Sequence, residues 1–402
     1  MTDANKSVLF INRVYPPGQG ATGELLAELA EALAQQGWRV TVIAGRPSGV
    51  AARSEVRNGV TLAWVGGVPF TRRSHWRRAL SYLSLYPAMW WRALRLPRHS
   101  ATVLLTDPPM QFVFGPLLRL CKDGRVVHWA QDIYPEVAEE LGVLKRRGAL
   151  AGLLRAASNW ALRRCDRVIA LGSCMKQRFL NRAIAAAKIE VIPNWANTDE
   201  IKPIGSSQSR LRVECGLSEK FVVMYSGNFG LAHTFDALLD AAALLRERAT
   251  HVAFLLVGDG PRLAWLKEQT ASRKLDNVRL LPPRPRAQLA DSLGAADVHL
   301  ISMREGLSGL VVPSKIYAVF AAGRAAIFLG PQDSEAAQLI LRHRCGSVLP
   351  AASGEALAEC VLKWSANREE LRIAGERAAH ATMAGLGLSA AVCEFERVLA
   401  AQ

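Results

Sequence analysis

Cysteines are few and poorly placed for any framework: seven, at positions 121, 165, 174, 215, 345, 360 and 393, with no CxxC pair and an odd total. That argues against a zinc ribbon or a disulfide scaffold and favours a reducing compartment. Nor is there a run of about eighteen apolar residues, the length a membrane-spanning helix needs. The opening residues, MTDANKSVLFINRVYPP, lack the charged start and long apolar core of a signal peptide, and read as a first buried strand. No low-complexity block of any size interrupts the chain. Acidic residues are absent from one long stretch: Val56 to Thr106 contains no Asp or Glu.

What is present is a globular composition. The chain has 402 residues, 50% apolar and 21% charged, enough for two or three domains with ample core. The net charge of +15 has a local source. The acid-free stretch carries Arg72, Arg73, Arg77, Arg78, Arg92 and Arg95 interleaved with Trp76, Tyr82, Tyr86, Trp90 and Trp91. Guanidinium meets lipid phosphate while indole sits at headgroup level, so a basic amphipathic segment over about 70–98 is expected to face an anionic membrane. A nucleic-acid surface and a solvated basic helix with its aromatics in the core are the competing readings.

Alternating signals run through the rest. SVLFIN (Ser7–Asn12), RVTVIA (Arg39–Ala44), Thr102–Thr106, Val126–Ala130, Val168–Ala170 and Ile189–Ile192 read as strands, with helices at Gly23–Gln36 and Leu150–Cys165. A Pro/Gly/Ser-rich stretch from Ile192 to Ser209 breaks the pattern and reads as a linker. A second series follows at Phe221–Ser226, Ala253–Gly258, Asn277–Leu281, Val298–Ile301, Ala325–Phe328 and Ser347–Leu349. Strands alternating with helices predict an α/β fold of two doubly wound Rossmann-like domains facing across a cleft. Their expected spans are 1–200 and 201–385, with a C-terminal helix in 386–402 that is a candidate to cross back to the first domain.

Each predicted domain has a glycine loop after its first strand, at Gly20-Ala21-Thr22 and at Gly227-Asn228-Phe229-Gly230. The most loop-like stretch is SMREGLSGLVVPSKIYAVFAAG, Ser302 to Gly323. It carries Glu305, Ser308, Gly309, Leu310 and Val311 before Pro313-Ser314-Lys315 opens a helix. A flexible loop, an N-cap hydroxyl and an adjacent lysine suit a helix start that receives an anion, and also an ordinary N-cap on a core helix. Sites in such sheets lie beyond the carboxyl ends of the strands, where Arg13, Asp107 and Asp132 fall. For Asp132 the alternative is N-capping a helix near Tyr134-Pro135; for Arg13 it is a surface arginine at a strand end.

In order, YPPGQGATGELLAELAEAL, TDPP, QDIYPEVAEELG, VIPNW, YSGNFG, LLVGDGP, VPSKIYAVFAAGR and SEAAQLI run from end to end of the chain. Together they resemble the GT-B glycosyltransferases of family 4, nearest to bacterial exopolysaccharide, capsule and O-antigen (lipopolysaccharide) enzymes of the colanic-acid type. The resemblance implies a retaining transferase of hexosyl or N-acetylhexosaminyl groups, with a UDP-sugar donor and no metal. It implies a saccharide acceptor linked to polyprenyl diphosphate, reached on the inner, cytoplasmic face of the cell membrane, with no nucleic-acid partner.

The chemistry it implies must stabilise charge on a departing diphosphate. No DxD-like pair follows a strand, so backbone N–H groups, helix dipoles and cationic side chains are the candidates. Arg13, Gly20–Thr22, Gly227–Gly230, Ser308–Val311, Pro313 and Ser314 are expected to hold the donor. Gly258-Asp259 is expected to line its pocket and Arg284 to touch the base through backbone groups. Asp132, Glu305 and Lys315 are the catalytic candidates: Asp132 orients the acceptor hydroxyl or stabilises the positive anomeric carbon, Glu305 keeps a carboxylate near the nucleotide or sugar, and Lys315 supplies positive charge. The chain departs from the family where Asn228 and His233 replace an Arg and a Lys, and where the second glutamate of the E-x7-E motif falls at Ala318. Two rivals stay open: a UDP-sugar epimerase on the same architecture, and a non-catalytic basic scaffold on membrane or nucleic acid.

Overall fold

The computed structural model describes residues 6–18, 20–68, 75–146, 148–350 and 353–400, with the side chains of 75–79 outside the description. Two compact units divide the chain: Met1–Pro193 with Gly309–Val311 and Leu388–Gln402, and Asn194–Ser308 with Val312–Gly387.

The first unit is built on β1 (Ser7–Ile11), α1 (Ala21–Gln35), β2 (Arg39–Gly45), β3 (Ser54–Arg57), β4 (Val60–Val65) and α2 (His75–Arg95). It continues through β5 (Ala101–Leu104), α3 (Gly115–Lys122), β6 (Arg125–Trp129), α4 (Glu136–Glu140), α5 (Ala149–Arg164), β7 (Arg167–Ala170), α6 (Ser173–Asn181) and β8 (Ile189–Val191). The eight strands order as β3-β4-β2-β1-β5-β6-β7-β8. All neighbours pair in parallel except β3, which runs antiparallel to β4. Parallel strands covered on both faces are apolar throughout, and β1 and β5 are buried at every position. On α1, Leu25, Leu26, Leu29 and Leu33 form the buried stripe of an amphipathic helix.

The second unit contains α7 (Arg210–Glu214), β9 (Phe221–Ser226), α8 (Asp236–Arg248), β10 (Val252–Val257), α9 (Leu263–Ser272), β11 (Val278–Leu281) and α10 (Leu289–Gly294). Then come β12 (Val298–Ser302), α11 (Lys315–Ala321), β13 (Ala325–Leu329), α12 (Glu335–His343), β14 (Gly346–Leu349), α13 (Gly354–Ala366) and α14 (Arg368–Ala381). Its strand order, β11-β10-β9-β12-β13-β14, is doubly wound about β9 and β12. The core gathers Phe221, Phe235, Leu239, Phe254, Leu300 and Ile327.

The last helix, α15 (Leu388–Ala400), belongs to the first unit and packs along α1. Phe395 meets the buried Trp129 ring edge-on at 4.8 Å, and Glu396 accepts from Trp38 Nε1 at 2.8 Å. The stretch read as a linker is no loose tether. Asn194, Trp195 and Ala196 are buried, and Ala196 N donates to Leu386 O at 3.2 Å.

One pair of strands escaped the sequence reading. Asn58 and Gly59 both adopt positive φ, 48° and 81°, which makes the tight turn joining β3 to β4. The front of the acid-free stretch is therefore a hairpin, and the helix within it starts at His75. Of the expected membrane-facing residues, Arg72 and Arg73 lie outside the described residues, as do the side chains of Trp76, Arg77 and Arg78.

Candidate active site

In a doubly wound sheet the strand order reverses at one point, and loops leaving the carboxyl ends there splay apart to form a crevice. In the first unit that point lies between β1 and β5. Arg13 follows β1 and Asp107 follows β5. The guanidinium grips the carboxylate in a two-point pair, Nε to Oδ1 at 2.7 Å and Nη2 to Oδ2 at 2.8 Å. Arg13 also lies over the Tyr82 ring, 5.7 Å from its centroid. Gln111 fixes this corner by donating to Ile11 O and Leu105 O, both at 2.8 Å. Arg13 is thus a partner of Asp107, not a loose arginine at a strand end.

Asp132 follows β6 on the same edge. Burial and the nearby Asp107 charge push its carboxyl up to about 7. It is not an N-cap, because α4 starts at Glu136 with Pro135 in the cap position. Asp132 instead forms an isolated bridge with Val311, and Ile133 N donates to Leu310 O at 2.9 Å. Gly309, at φ 70°, fits here because a Cβ would stand 2.7 Å from Cys174 O. Gly20 stands at the N-cap of α1 with no side-chain cap, and Gly23 N and Glu24 N donate to its carbonyl at 3.0 and 3.1 Å. Gly23 permits this helix to approach, since its Cβ would meet Val14 Cγ1 at 2.7 Å.

In the second unit, the loops after β9 and β10 interlock. A Cβ on Gly258 would stand 1.9 Å from Gly227 O, and one on Gly260 would stand 2.6 Å from Asn228 Oδ1. Phe229 N donates to Asp259 O at 2.8 Å, and the Phe229 ring is fully buried. Phe229 therefore holds the loop in place, with its amide committed to Asp259. Against Gly227 lies Lys315, whose Cε is 3.6 Å from where a Gly227 Cβ would be. Its Nζ donates to Tyr225 Oη at 2.5 Å and sits 3.8 Å from the Tyr225 ring centroid. Burial pulls the Lys315 ammonium down to about 7. His233 accompanies it, pressed edge-on to Tyr225 with Nδ1 2.5 Å from Ser302 O. Burial, with Lys315 adding repulsion, holds His233 down at about 3, so the ring is neutral.

Several expectations change in detail. Ser314 occupies the N-cap of α11, but its φ and ψ of −59° and −21° are already helical and its hydroxyl makes no cap bond. A capping side chain needs an extended backbone to reach the N2 or N3 amide, so the charge at this helix start comes from Lys315. Ser308 and Pro313 are buried, and Glu305 is exposed beside Gly306. Arg284 is engaged by Glu214 of α7 at 2.7 Å. Twelve residues separate Glu305 from Ala318, not the seven of the motif. Tyr225 and Gln111 were missed; a Tyr ending a strand at a switch point was the available signal for the first. Among the described residues no three His, Cys, Asp or Glu side chains gather to hold a metal ion.

Two family profiles match: Glycosyltransferase Family 4 over residues 22–200 and Glycosyl transferases group 1 over 220–367. Among curated relatives, the probable glycosyltransferase WbjE of Pseudomonas aeruginosa is 26% identical over 64% of this chain and 64% of its own length. The putative colanic acid biosynthesis glycosyl transferase WcaI of Escherichia coli is 25% identical over 81% of this chain and 83% of its own. A GDP-mannose-dependent phosphatidylinositol monomannoside mannosyltransferase of Mycobacterium tuberculosis is 22% identical over 90% of both. Among solved structures, sucrose-phosphate synthase of Thermosynechococcus elongatus superposes with a TM-score of 0.79 at 17% identity, over 98% of each chain. Anabaena HepE in complex with UDP-glucose gives 0.75 at 16%, over 98% of this chain and all of that one. With two doubly wound sheets and both profiles in chain order, the protein belongs to the family 4 glycosyltransferases of the GT-B fold.

Proposed function

We propose that the protein moves a hexosyl or N-acetylhexosaminyl group from a UDP-sugar to a saccharide borne on polyprenyl diphosphate, in the making of a bacterial surface polysaccharide. The observation that carries this reading is the Lys315–Tyr225–His233 cluster beneath the glycine loop of the second unit. A half-buried lysine whose hydrogen bond goes to a tyrosine hydroxyl suits a diphosphate, and the glycines let phosphate oxygens approach the backbone. As the sugar–oxygen bond breaks, Lys315 takes up the charge developing on the leaving diphosphate, a role that asks for no metal. The acceptor hydroxyl attacks from the face the diphosphate leaves, which retains the anomeric configuration, and its proton passes to a departing phosphate oxygen. Asp132 of the first unit orients that hydroxyl.

A membrane-bound acceptor is supported by α2, where Leu83, Trp91 and Leu94 are exposed and Arg95 stacks over Trp91 at 4.2 Å. Trp90 turns instead onto Phe114, at 4.4 Å between centroids, and Arg92 is half-buried. Among the described residues no helix is long and apolar enough to cross a membrane; the attachment we propose is through this exposed aromatic and basic face, on the inner leaflet. GDP-mannose is the second donor reading, favoured by the mycobacterial relative's description. A panel of UDP-glucose, UDP-galactose, UDP-N-acetylglucosamine and GDP-mannose, scored by nucleotide release with and without a lipid-diphosphate-saccharide, separates them. Turnover of GDP-mannose alone would overturn the uridine assignment, and no acceptor-dependent release from any donor would overturn the transferase reading.

A further inference from the structure

The first unit contains a polar cavity of about 270 Å3 that the donor chemistry leaves unused. Its walls are Glu136, Glu139 and Glu140 of α4, Arg146, Arg155 of α5 and Arg178 of α6, and Leu310 closes one side. Three carboxylates face three guanidiniums. The balance gives a strongly charged ligand little net attraction, and the arginines disfavour a metal ion. Paired Arg and Glu side chains do place a donor next to an acceptor, which matches a sugar hydroxyl that both donates and accepts.

The walls are held before any ligand arrives. Arg146 pairs with Glu140 at 2.6 Å, and Arg155 pairs with Glu139 at 2.5 Å. Glu136 stands 3.6 Å from both Arg155 Nε and Arg182 Nη1. Behind it, Arg182 donates to Asn159 Oδ1 at 2.7 Å and Ser158 Oγ at 2.6 Å, and Ser158 donates to Tyr134 O at 3.2 Å. Such a backing layer holds groups in a binding geometry and spares the entropy of ordering them on contact.

The cavity also adjoins Asp132. Leu310 accepts from Ile133 N at 2.9 Å, and Val311 bridges Asp132 itself. The stem of Arg178 runs under Gly309, whose Cβ would fall 2.9 Å from Arg178 Cγ. A volume just under the range of about 300–1,000 Å3 for small-molecule pockets suits one pyranose ring and not a nucleotide.

We infer that this cavity is the subsite for one neutral sugar ring of the acceptor, next to the ring whose hydroxyl Asp132 orients. The inference rests on the proposed transferase activity. The test is saturation-transfer NMR on the full chain with the methyl α-glycosides of glucose, galactose, mannose, N-acetylglucosamine and glucuronic acid. At least one neutral glycoside should bind, and Glu136→Gln and Arg155→Gln should each weaken it about tenfold or more, the loss of one charge-assisted hydrogen bond. UDP affinity should not change. Circular dichroism melting checks the fold, and Glu140→Gln, in a more exposed pair, replaces Arg155→Gln if that variant unfolds. No neutral glycoside binding, a preference for the glucuronide, or binding indifferent to the substitutions would overturn the subsite. Failure of the wild-type chain to bind UDP would count against the transferase reading while leaving the glycoside result to decide the cavity.

Discussion

Lys315 and Asp132 carry opposite pH signatures, and each gives a prediction. The Lys315 ammonium falls from 10.5 to about 7 on burial. Between those values the unfolded chain binds more protons at this site than the folded one, so its contribution to stability improves as pH rises through that window. A bound diphosphate reverses the preference and draws a proton onto Nζ. At about pH 8, UDP binding should take up close to one proton, seen by calorimetry in two buffers of different ionisation heat. Lys315→Ala should abolish that uptake and weaken UDP about 10- to 100-fold; unchanged uptake would remove Lys315 from the diphosphate site. For Asp132 the shift is upward, from 3.8 to about 7. The folded state holds the extra proton between those values, so stability is lost as pH rises across them. Asp132→Asn removes that loss. The variant should melt about 2–4 °C higher at neutral pH and transfer sugar about 100-fold more slowly or worse, with UDP affinity kept. A variant that transfers normally would show that the carboxyl has no part in the reaction.

Helix α2 has neighbours the sequence did not point to. Right-handed crossovers place α2, α3 and α5 on one face of the first sheet, and α3 contacts both of the others. Leu117 and Leu120 of α3 are 50% and 83% exposed, and Leu150, Leu153 and Trp160 of α5 are exposed too. Arg119, Arg163 and Arg164 are interspersed with them, so the basic apolar surface spans three helices. Trp91→Ser combined with Leu120→Ser should lower partitioning onto anionic vesicles about tenfold or more, as expected for two exposed apolar side chains, with UDP binding intact. Equal sedimentation of variant and parent would sink the membrane assignment. The sequence made α2 legible because its arginines and tryptophans are consecutive in the chain. The α3 and α5 contributions come from scattered leucines that look like core residues until their neighbours are known. For the β3–β4 hairpin the Asn58-Gly59 signal is present, but the arginines and tryptophans that follow dominate that stretch of sequence. The glycine loops were legible too. The contact of Lys315 with Tyr225 was not, since ninety residues separate them.

Each unit is chemically self-sufficient in one respect and incomplete in sequence. The glycine loops and Lys315 of the second unit lie within Asn194–Gly387, while the first unit needs Leu388–Ala400 to cover α1 and Trp129. Arg125 reaches the carbonyls of Val398 and Leu399, and Arg397 pairs with Glu190 at 2.8 Å. Truncation after Gly387 should therefore expose Trp38 and Trp129, shift their fluorescence to the red and lower the melting temperature of the first unit. Ligand-induced stabilisation by UDP should persist. Loss of both together would mean that the units do not fold separately.

The position of α15 also bears on how the protein is made. Chains emerge from the ribosome amino end first, and domains generally fold in that order. Here the helix that seals the first unit follows the whole of the second unit in the chain, so the second unit has every residue it needs before the first does. The earlier half waits with the α1 face uncovered until α15 has been made, and a chain stalled just short of Leu388 carries a finished second unit behind an unfinished first.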